Sequence, residues 1–139
     1  MPTIEDQVKT VLKDAGYSAT APRIAVFSAL KDSPPQTMNQ LVHSVSSSVN
    51  RASVYRTIDM FIKLHIVERI SIGWKYKLEL SDQFSHHHHH IICSLCGRID
   101  ELHENQAIES TLKQLSDSHG YSLSSHQIEL RGICAACQL

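Results

Sequence analysis

Residues 86–97, which read HHHHHIICSLCG, constrain the fold and the chemistry of this chain most strongly. Five consecutive histidines lead within a few residues into the pair Cys93 and Cys96. Two thiolates separated by two residues can bind one metal ion from a tight turn. Gly97 follows the pair and supplies the backbone freedom that such a turn often needs. The stretch therefore predicts a strand that ends in a metal-binding knuckle.

A second Cys-x-x-Cys pair, Cys134 and Cys137, lies near the end of the chain, and the two pairs account for all 4 cysteines. The chain starts without the basic and then apolar order of a secretory signal, so metal binding is expected rather than disulfides. The sequence predicts one structural zinc ion held by four thiolates. A redox-active pair or buried, inert thiols are the alternatives.

The histidine run can serve two metal sites if it forms a β-strand, because alternate side chains of a strand face opposite ways. His88 and His90 then share one face with His86, while His87 and His89 share the other. Each site needs further ligands from elsewhere in the chain. For any one carboxylate the alternative is a solvated surface charge. The available partners are Glu79, Glu101, His103, Glu104, Glu109, His119 and His126.

Residues 1–80 carry the pattern of short amphipathic helices followed by a β-hairpin. Alternating apolar residues predict strands over residues 66–72 and 74–80, with Gly73 as the turn. This order is typical of a winged helix-turn-helix, whose last helix enters the DNA major groove and whose hairpin touches the backbone. The predicted helices begin near Thr3, Thr20, Thr37 and Asn50.

The fourth predicted helix has an outward side suited to DNA. Arginine can pair with guanine edges or phosphates, tyrosine can stack or contact a thymine methyl, and serine and threonine can reach phosphates. An ordinary solvated helix face is the alternative reading. The candidate DNA-binding residues of this helix are Arg51, Ser53, Tyr55, Arg56 and Thr57.

The charge distribution separates the chain into two modules, although the formal net charge is only −1. Residues 1–80 hold ten Lys and Arg against seven Asp and Glu, whereas residues 81–139 hold three against seven, with eight of the 10 histidines. A mildly basic module suits DNA and a histidine-rich one suits cations. We predict an α+β protein with a winged helix-turn-helix at 1–80, a hinge at 81–85 and a small α/β metal-binding domain at 86–139.

Within the second module, a helix is predicted from Asn105 to His119, with Ile108, Leu112 and Leu115 facing inward. A strand is predicted over residues 121–133. No apolar run approaches the length of a membrane helix, so a soluble, cytoplasmic protein without a membrane partner is expected.

Several strings, taken together and in order, resemble the ferric uptake regulator (Fur) family. The resemblance covers nearly the whole chain, and a histidine run beside paired Cys-x-x-Cys motifs is highly specific. The matching elements are Thr20-Ala21-Pro22-Arg23, Ala52-Ser53-Val54-Tyr55-Arg56-Thr57-Ile58, residues 86–97, His126 and the closing Cys134-x-x-Cys137.

The resemblance implies a homodimeric, metal-dependent transcriptional repressor that binds operator DNA and is not an enzyme. Its second domain would be the dimerisation domain. Tyr55 and Arg56 match the family's recognition-helix contacts, and Arg23 matches a backbone contact. The four cysteines match its structural zinc site, and the regulatory ion would be Fe²⁺, Zn²⁺, Mn²⁺ or Ni²⁺. The matches to the regulatory site are His88, His90 and Glu101, with Glu79 as a further ligand, and those to the additional site are His87, His89, Glu109 and His126.

The chain departs from the family pattern at a few positions. No histidine precedes His43, and Pro34-Pro35-Gln36 stands where the family often has a first-domain metal ligand. His89 replaces a frequent aspartate, which favours zinc, nickel or cobalt. Ser18 replaces a frequent lysine that reaches the minor groove.

Other functions fit the sequence less well. A relative that senses zinc, manganese, nickel or peroxide instead of iron would share these motifs. A metallohydrolase would need a glutamate base beside an open zinc position, but no His-Glu-x-x-His spacing occurs. A metal storage or chaperone module would leave the first 80 residues without a role.

Overall fold

The computed structural model describes residues 1–139, which divide into two compact units, Met1–His86 and His87–Leu139. Helices together with a two-stranded and a three-stranded sheet make this the predicted α+β fold. None of the helices has both the length and the apolar character that crossing a membrane requires.

The first unit has the predicted order of four helices and a hairpin. The two strands pair antiparallel, from Val67 opposite Leu80 to Ile72 opposite Lys75. The elements are α1 (Ile4–Asp14), α2 (Ala21–Leu30), α3 (Met38–Ser44), α4 (Arg51–Lys63), β1 (Val67–Ile72) and β2 (Lys75–Leu80).

Side-chain caps fix where these helices begin. The Thr3 hydroxyl accepts from the Asp6 amide while the Asp6 carboxylate accepts from the Thr3 amide, and Thr37 and Gln40 repeat this capping box. The Asn50 side chain accepts the Ser53 amide at the start of α4. All four predicted helix starts are confirmed, because capping depends only on residues close in sequence.

The core of the first unit is formed by the inner faces of the helices and the hairpin. Phe27, Phe61 and Leu78 are among its fully buried side chains. Phe84 joins this core, with its ring centroid 5.4 Å from that of Phe27 in an edge-to-face contact. Residues 81–86, where the sequence suggested a hinge at 81–85, thus lie with the first unit, because Phe84 is anchored in its core.

The second unit is built around one mixed sheet. Its central strand, β3 (His88–Cys93), runs antiparallel to β4 (Ile99–His103) and parallel to β5 (Glu129–Gly132). Between these outer strands lies α5 (Gln106–Ser118), and a short 3-10 helix, Ala135–Gln138, follows β5.

Two expectations for the second unit are wrong. The predicted strand over 121–133 is regular only at Glu129–Gly132, because its parallel pairing starts opposite His90, close to where β3 itself begins. Ile108 and Leu115 were expected inside, but they are 46% and 57% exposed, and α5 has no buried residue. The apolar face of α5 is therefore uncovered in the single chain.

Candidate metal centres and DNA-binding surface

The two cysteine pairs, 41 residues apart from Cys93 to Cys134, come together in the second unit. Their four sulfurs all lie within 4.8 Å of one another, and Cys96 Sγ is 3.8 Å from Cys134 Sγ. Two sulfurs bound tetrahedrally to zinc at about 2.3 Å are about 3.8 Å apart. The arrangement therefore fits a tetrathiolate zinc ion in both donor type and spacing.

Backbone hydrogen bonds shape this cluster. The Gly97 amide donates to the Cys93 carbonyl at 3.0 Å, and Gly97 has a φ of +75°, which closes the knuckle. The Ser94 amide donates to the Gly132 carbonyl at 2.8 Å, which ties the knuckle to the end of β5. Because Cys134 follows Gly132 by two residues, the second cysteine pair lies beside the first.

The pKa values of the thiols also bear on whether the cluster binds a cation. Amide N–H groups of Cys134 and Cys96, at 3.4 and 3.5 Å from Cys93 Sγ, lower the pKa of the Cys93 thiol to about 6. Hydrogen bonds to Cys134 and Cys96 raise the pKa of Cys137 to about 12. Four thiolates so close together would repel each other strongly, and a bound divalent ion compensates that charge.

A second donor cluster joins β3, α5 and the segment before β5. Glu109 lies at its centre, with one carboxylate oxygen 2.8 Å from His89 Nε2 and 3.1 Å from His87 Nε2. The other oxygen is 2.6 Å from His126 Nε2. His87 Nε2 and His126 Nε2 are 3.2 Å apart, near the ~3.3 Å expected for two nitrogens held tetrahedrally at about 2.0 Å. Three imidazoles and a carboxylate fit a divalent transition metal.

The charge state of this cluster depends on its histidines. Burial alone would raise the pKa of Glu109, but the hydrogen bond with His89 and the charges of His126 and His87 overcome it, and the pKa of Glu109 is lowered. Glu109 is therefore an ionised carboxylate among imidazoles, the state in which it can serve as a metal ligand.

The opposite face of β3 presents His88 and His90, whose Nε2 atoms are 3.1 Å apart. His90 is buried and pairs with Glu101 across the β3–β4 ladder. Glu101 also has a carboxylate oxygen within 4.8 Å of a His88 ring nitrogen. Glu101 and His88 form a donor group with His86, which the sequence analysis did not assign to a site, whereas His90 contacts His88 but does not belong to that group. Glu79, the further predicted ligand, lies half-buried on β2 of the first unit.

In the first unit, the outward face of α4 carries three of the predicted DNA-binding residues. Arg51, Tyr55 and Arg56 are exposed. Arg56 donates to the half-buried Ser53 hydroxyl at 3.2 Å. Arg51 donates to Asn39 Oδ1 of α3 at 3.4 Å. These hydrogen bonds tie the Arg51 guanidinium to α3 and the Arg56 guanidinium to the first turn of α4.

Thr57 must be removed from the predicted DNA-binding face. Its relative exposure is 5%. Thr57 follows Val54 by three residues and precedes Phe61 by four, and both of these are fully buried. Helical periodicity places all three on one face, so Thr57 packs into the core and cannot reach DNA.

Arg23, near the start of α2, is fixed by two local contacts. Its Nη1 donates to the Ser18 carbonyl at 2.7 Å, and its guanidinium lies 5.6 Å from the centre of the Tyr17 ring. These contacts hold the half-buried Arg23 side chain in place. It therefore has little conformational freedom to lose if it binds DNA.

Comparison with known proteins decides the family. Residues 14–131 match the model of the ferric uptake regulator family. The chain belongs to this family. It is 32% identical over 133 residues to the ferric uptake regulation protein of Escherichia coli strain K12, with 91% of this chain and 87% of that protein covered. It is thus a Fur-family metal-dependent regulator.

Solved structures of Fur proteins have the same fold as this chain. The Pseudomonas aeruginosa ferric uptake regulator with manganese has a TM-score of 0.81 at 23% identity, covering 96% of this chain and 99% of that one. The Helicobacter pylori regulator Fur, whose structure reveals three functional metal binding sites, has a TM-score of 0.78 at 24% identity, covering 98% and 92%. The α+β fold expected from the resemblance, a winged helix-turn-helix followed by a small α/β unit, is confirmed.

Proposed function

We propose that this Fur-family chain is a transcriptional repressor that binds operator DNA as a homodimer when a divalent metal ion is bound. The observation that carries the proposal is the division of chemistry between its units. The first unit exposes arginines and a tyrosine along one helix, and the second gathers sulfur, nitrogen and oxygen donors at metal-ligand distances. Since a regulator of this kind acts on the chromosome, we expect it in the cytoplasm.

Each donor cluster has a proposed role. Cys93, Cys96, Cys134 and Cys137 would hold a structural zinc ion, which supplies charge compensation and a cross-link between the knuckle and the chain end. The regulatory ion, Fe²⁺, Zn²⁺, Mn²⁺ or Ni²⁺, would be held by His88, His90 and Glu101 with Glu79. The additional ion would be held by His87, His89, Glu109 and His126.

The regulatory residues can control DNA binding only if their arrangement differs between the active and the inactive state. His88 and His90 come from the first residues of β3, immediately after the point at which the chain divides into two units. Glu79 belongs to the first unit. We assign sensing to this set because the resemblance matches these residues to the regulatory site of the family.

The uncovered apolar face of the second unit is proposed to pack against a second copy of the chain. Exposed apolar side chains lie on α5 and on and beside β5, and a monomer rarely leaves so many large apolar groups in water. Twofold pairing of this face would also present two recognition helices to a palindromic operator. The exposed residues are Ile108, Leu115, Leu123, Leu130 and Ile133.

Replacing the recognition-helix side chains should weaken DNA binding without disturbing the protein. We expect Arg56→Ala and Tyr55→Ala each to cost about 1–3 kcal/mol, because each removes a base or phosphate contact. The metal-loaded wild type would first select a duplex from a randomised library. Fluorescence anisotropy would then measure the Kd of each variant for that duplex. Dimer mass and metal content should stay unchanged.

The matched control is Lys13→Ala, which removes an exposed positive charge from α1. If Arg56→Ala and Tyr55→Ala both bind the duplex as tightly as Lys13→Ala and the wild type, α4 is not the recognition helix. If the wild type enriches no duplex with any divalent ion, the proposed function itself is wrong.

A further inference from the structure

Trp74, the only tryptophan of the chain, stands at the tip of the β1–β2 hairpin and is 93% exposed. Ile72 pairs with Lys75, so Gly73 and Trp74 form a two-residue turn. Gly73 has a φ of +61°, whereas the φ of Trp74 is not positive. This is the pattern of a type II′ turn. This tight turn leaves the indole no neighbouring chain to pack on, although a tryptophan gains much from burial.

The tip of the hairpin projects beyond the core of the first unit. Ile70 and Leu78 are the last buried residues on the two strands before the turn, with relative exposures of 2% and 0%. Ser71, Lys75 and the turn itself are exposed. The projecting tip is thus a narrow, two-stranded finger that carries a large apolar ring at its end.

The charges around this ring all have the same sign. From Arg69 to Lys77 the chain has three cations, Lys75 among them, and no carboxylate. Lys75 Nζ lies 5.9 Å from the centre of the Trp74 ring, and the Arg69 guanidinium lies 5.0 Å from that of Tyr76. A polyanion is the partner that complements an exposed aromatic ring with a cation beside it, on a hairpin tip whose charged groups are all cations.

We propose that Trp74 enters the minor groove of the DNA next to the site read by α4, with Lys75, Lys77 and Arg69 on the flanking phosphates. This inference rests on the proposed function and adds a DNA-contacting residue to it. The indole N–H is only a donor, and an A·T pair offers only acceptors in the minor groove, whereas G·C adds the guanine 2-amino donor. Trp74 should therefore favour A·T pairs at the wing.

The first test uses Trp74 as its own fluorescent probe. Adding the selected duplex to the metal-loaded wild type should shift the emission to shorter wavelength and reduce quenching by acrylamide, because the exposed ring becomes buried. Unchanged emission and quenching at saturating duplex would overturn the proposal. A shift that depends on protein concentration without DNA would also overturn it, because the ring would then contact a second copy.

The second test compares Trp74→Ala and Trp74→Phe with Lys13→Ala. Trp74→Ala should weaken duplex binding about ten-fold, while its melting temperature changes by no more than about 3 °C because the side chain is almost fully exposed. Trp74→Phe should keep part of the affinity. Wild-type affinity for Trp74→Ala, in an experiment where Arg56→Ala loses binding, would refute the wing contact and leave the proposed function standing.

The third test reads the groove directly. A·T pairs beside the selected site are replaced in turn by G·C or by inosine·C, which lacks the 2-amino group. At the wing position the wild type should lose affinity for G·C and regain it for inosine·C, and Trp74→Ala should be indifferent to both changes. Equal wild-type affinity for all three pairs at every flanking position would contradict the proposed minor-groove contact.

Discussion

Cys93→Ser and Cys137→Ser should each unfold the second unit and abolish the dimer. Ile92 and Cys93 are the only buried apolar side chains in that unit, so its own core is too small to stabilise it. Structural zinc in small domains contributes about 10 kcal/mol or more of apparent binding free energy, far more than a serine could replace. Circular dichroism, native mass and zinc content would be measured together.

The matched control for the cysteine variants is Ser94→Ala, in the same knuckle. Ser94 is exposed, and it is its backbone amide, rather than its hydroxyl, that bonds to Gly132. Ser94→Ala should retain zinc, dimer and melting temperature. A cysteine variant that is free of zinc, dimeric and thermally unchanged would contradict the structural role of the cluster.

The double variant His88→Ala/His90→Ala should lose metal-activated DNA binding while the cysteine-bound zinc and the fold remain. The matched variant His87→Ala/His89→Ala should keep most of the activation and lose an ion and some stability, because its donors converge on Glu109 within one unit. An ion changes an equilibrium only by its differential affinity for the two states. Since Pro35 cannot coordinate, we expect a coupling of about 1–3 kcal/mol.

Metal titrations of both double variants in one DNA-binding assay separate these roles. Each variant removes two imidazoles from the same histidine run, so differences cannot come from the number of histidines lost. If His87 and His89 prove essential for activation and His88 and His90 dispensable, the sensing role belongs to the opposite face of β3.

The parts of the fold that depend on local chemistry could be predicted from the sequence. The capping residues Thr3 and Thr37 bond to amides three residues away, and the Gly73 turn joins adjacent strands, so short-range patterns contain the necessary information. The period of two along the histidine run likewise anticipates which rings lie together. Which carboxylate lies beside each face of the histidine run depends on long-range packing. Only the family resemblance assigned Glu109 to one face and Glu101 to the other.

Two kinds of error separate the sequence predictions from the structure. Residue type suggests that Thr57 lies on the outer face, but the period of α4, itself a local pattern, places it with Val54 and Phe61 in the core. The other errors occur where tertiary packing overrides a local pattern. The strand predicted from residue 121 lacks a partner over most of its length. The α5 residues expected inside lack a cover in the single chain, since a hydrophobic pattern marks an apolar face without showing what packs on it. Trp74 could have been found from its position beside the predicted turn.

The central claim is that a divalent ion controls DNA binding, and one measurement tests it most directly. The wild-type protein is treated with a mild chelator that leaves the proposed structural zinc in place, and its Kd for the selected duplex is measured before and after adding Fe²⁺, Zn²⁺, Mn²⁺ or Ni²⁺. We predict that at least one ion tightens binding by about 5- to 150-fold. The same Kd with every ion and without any would contradict the account.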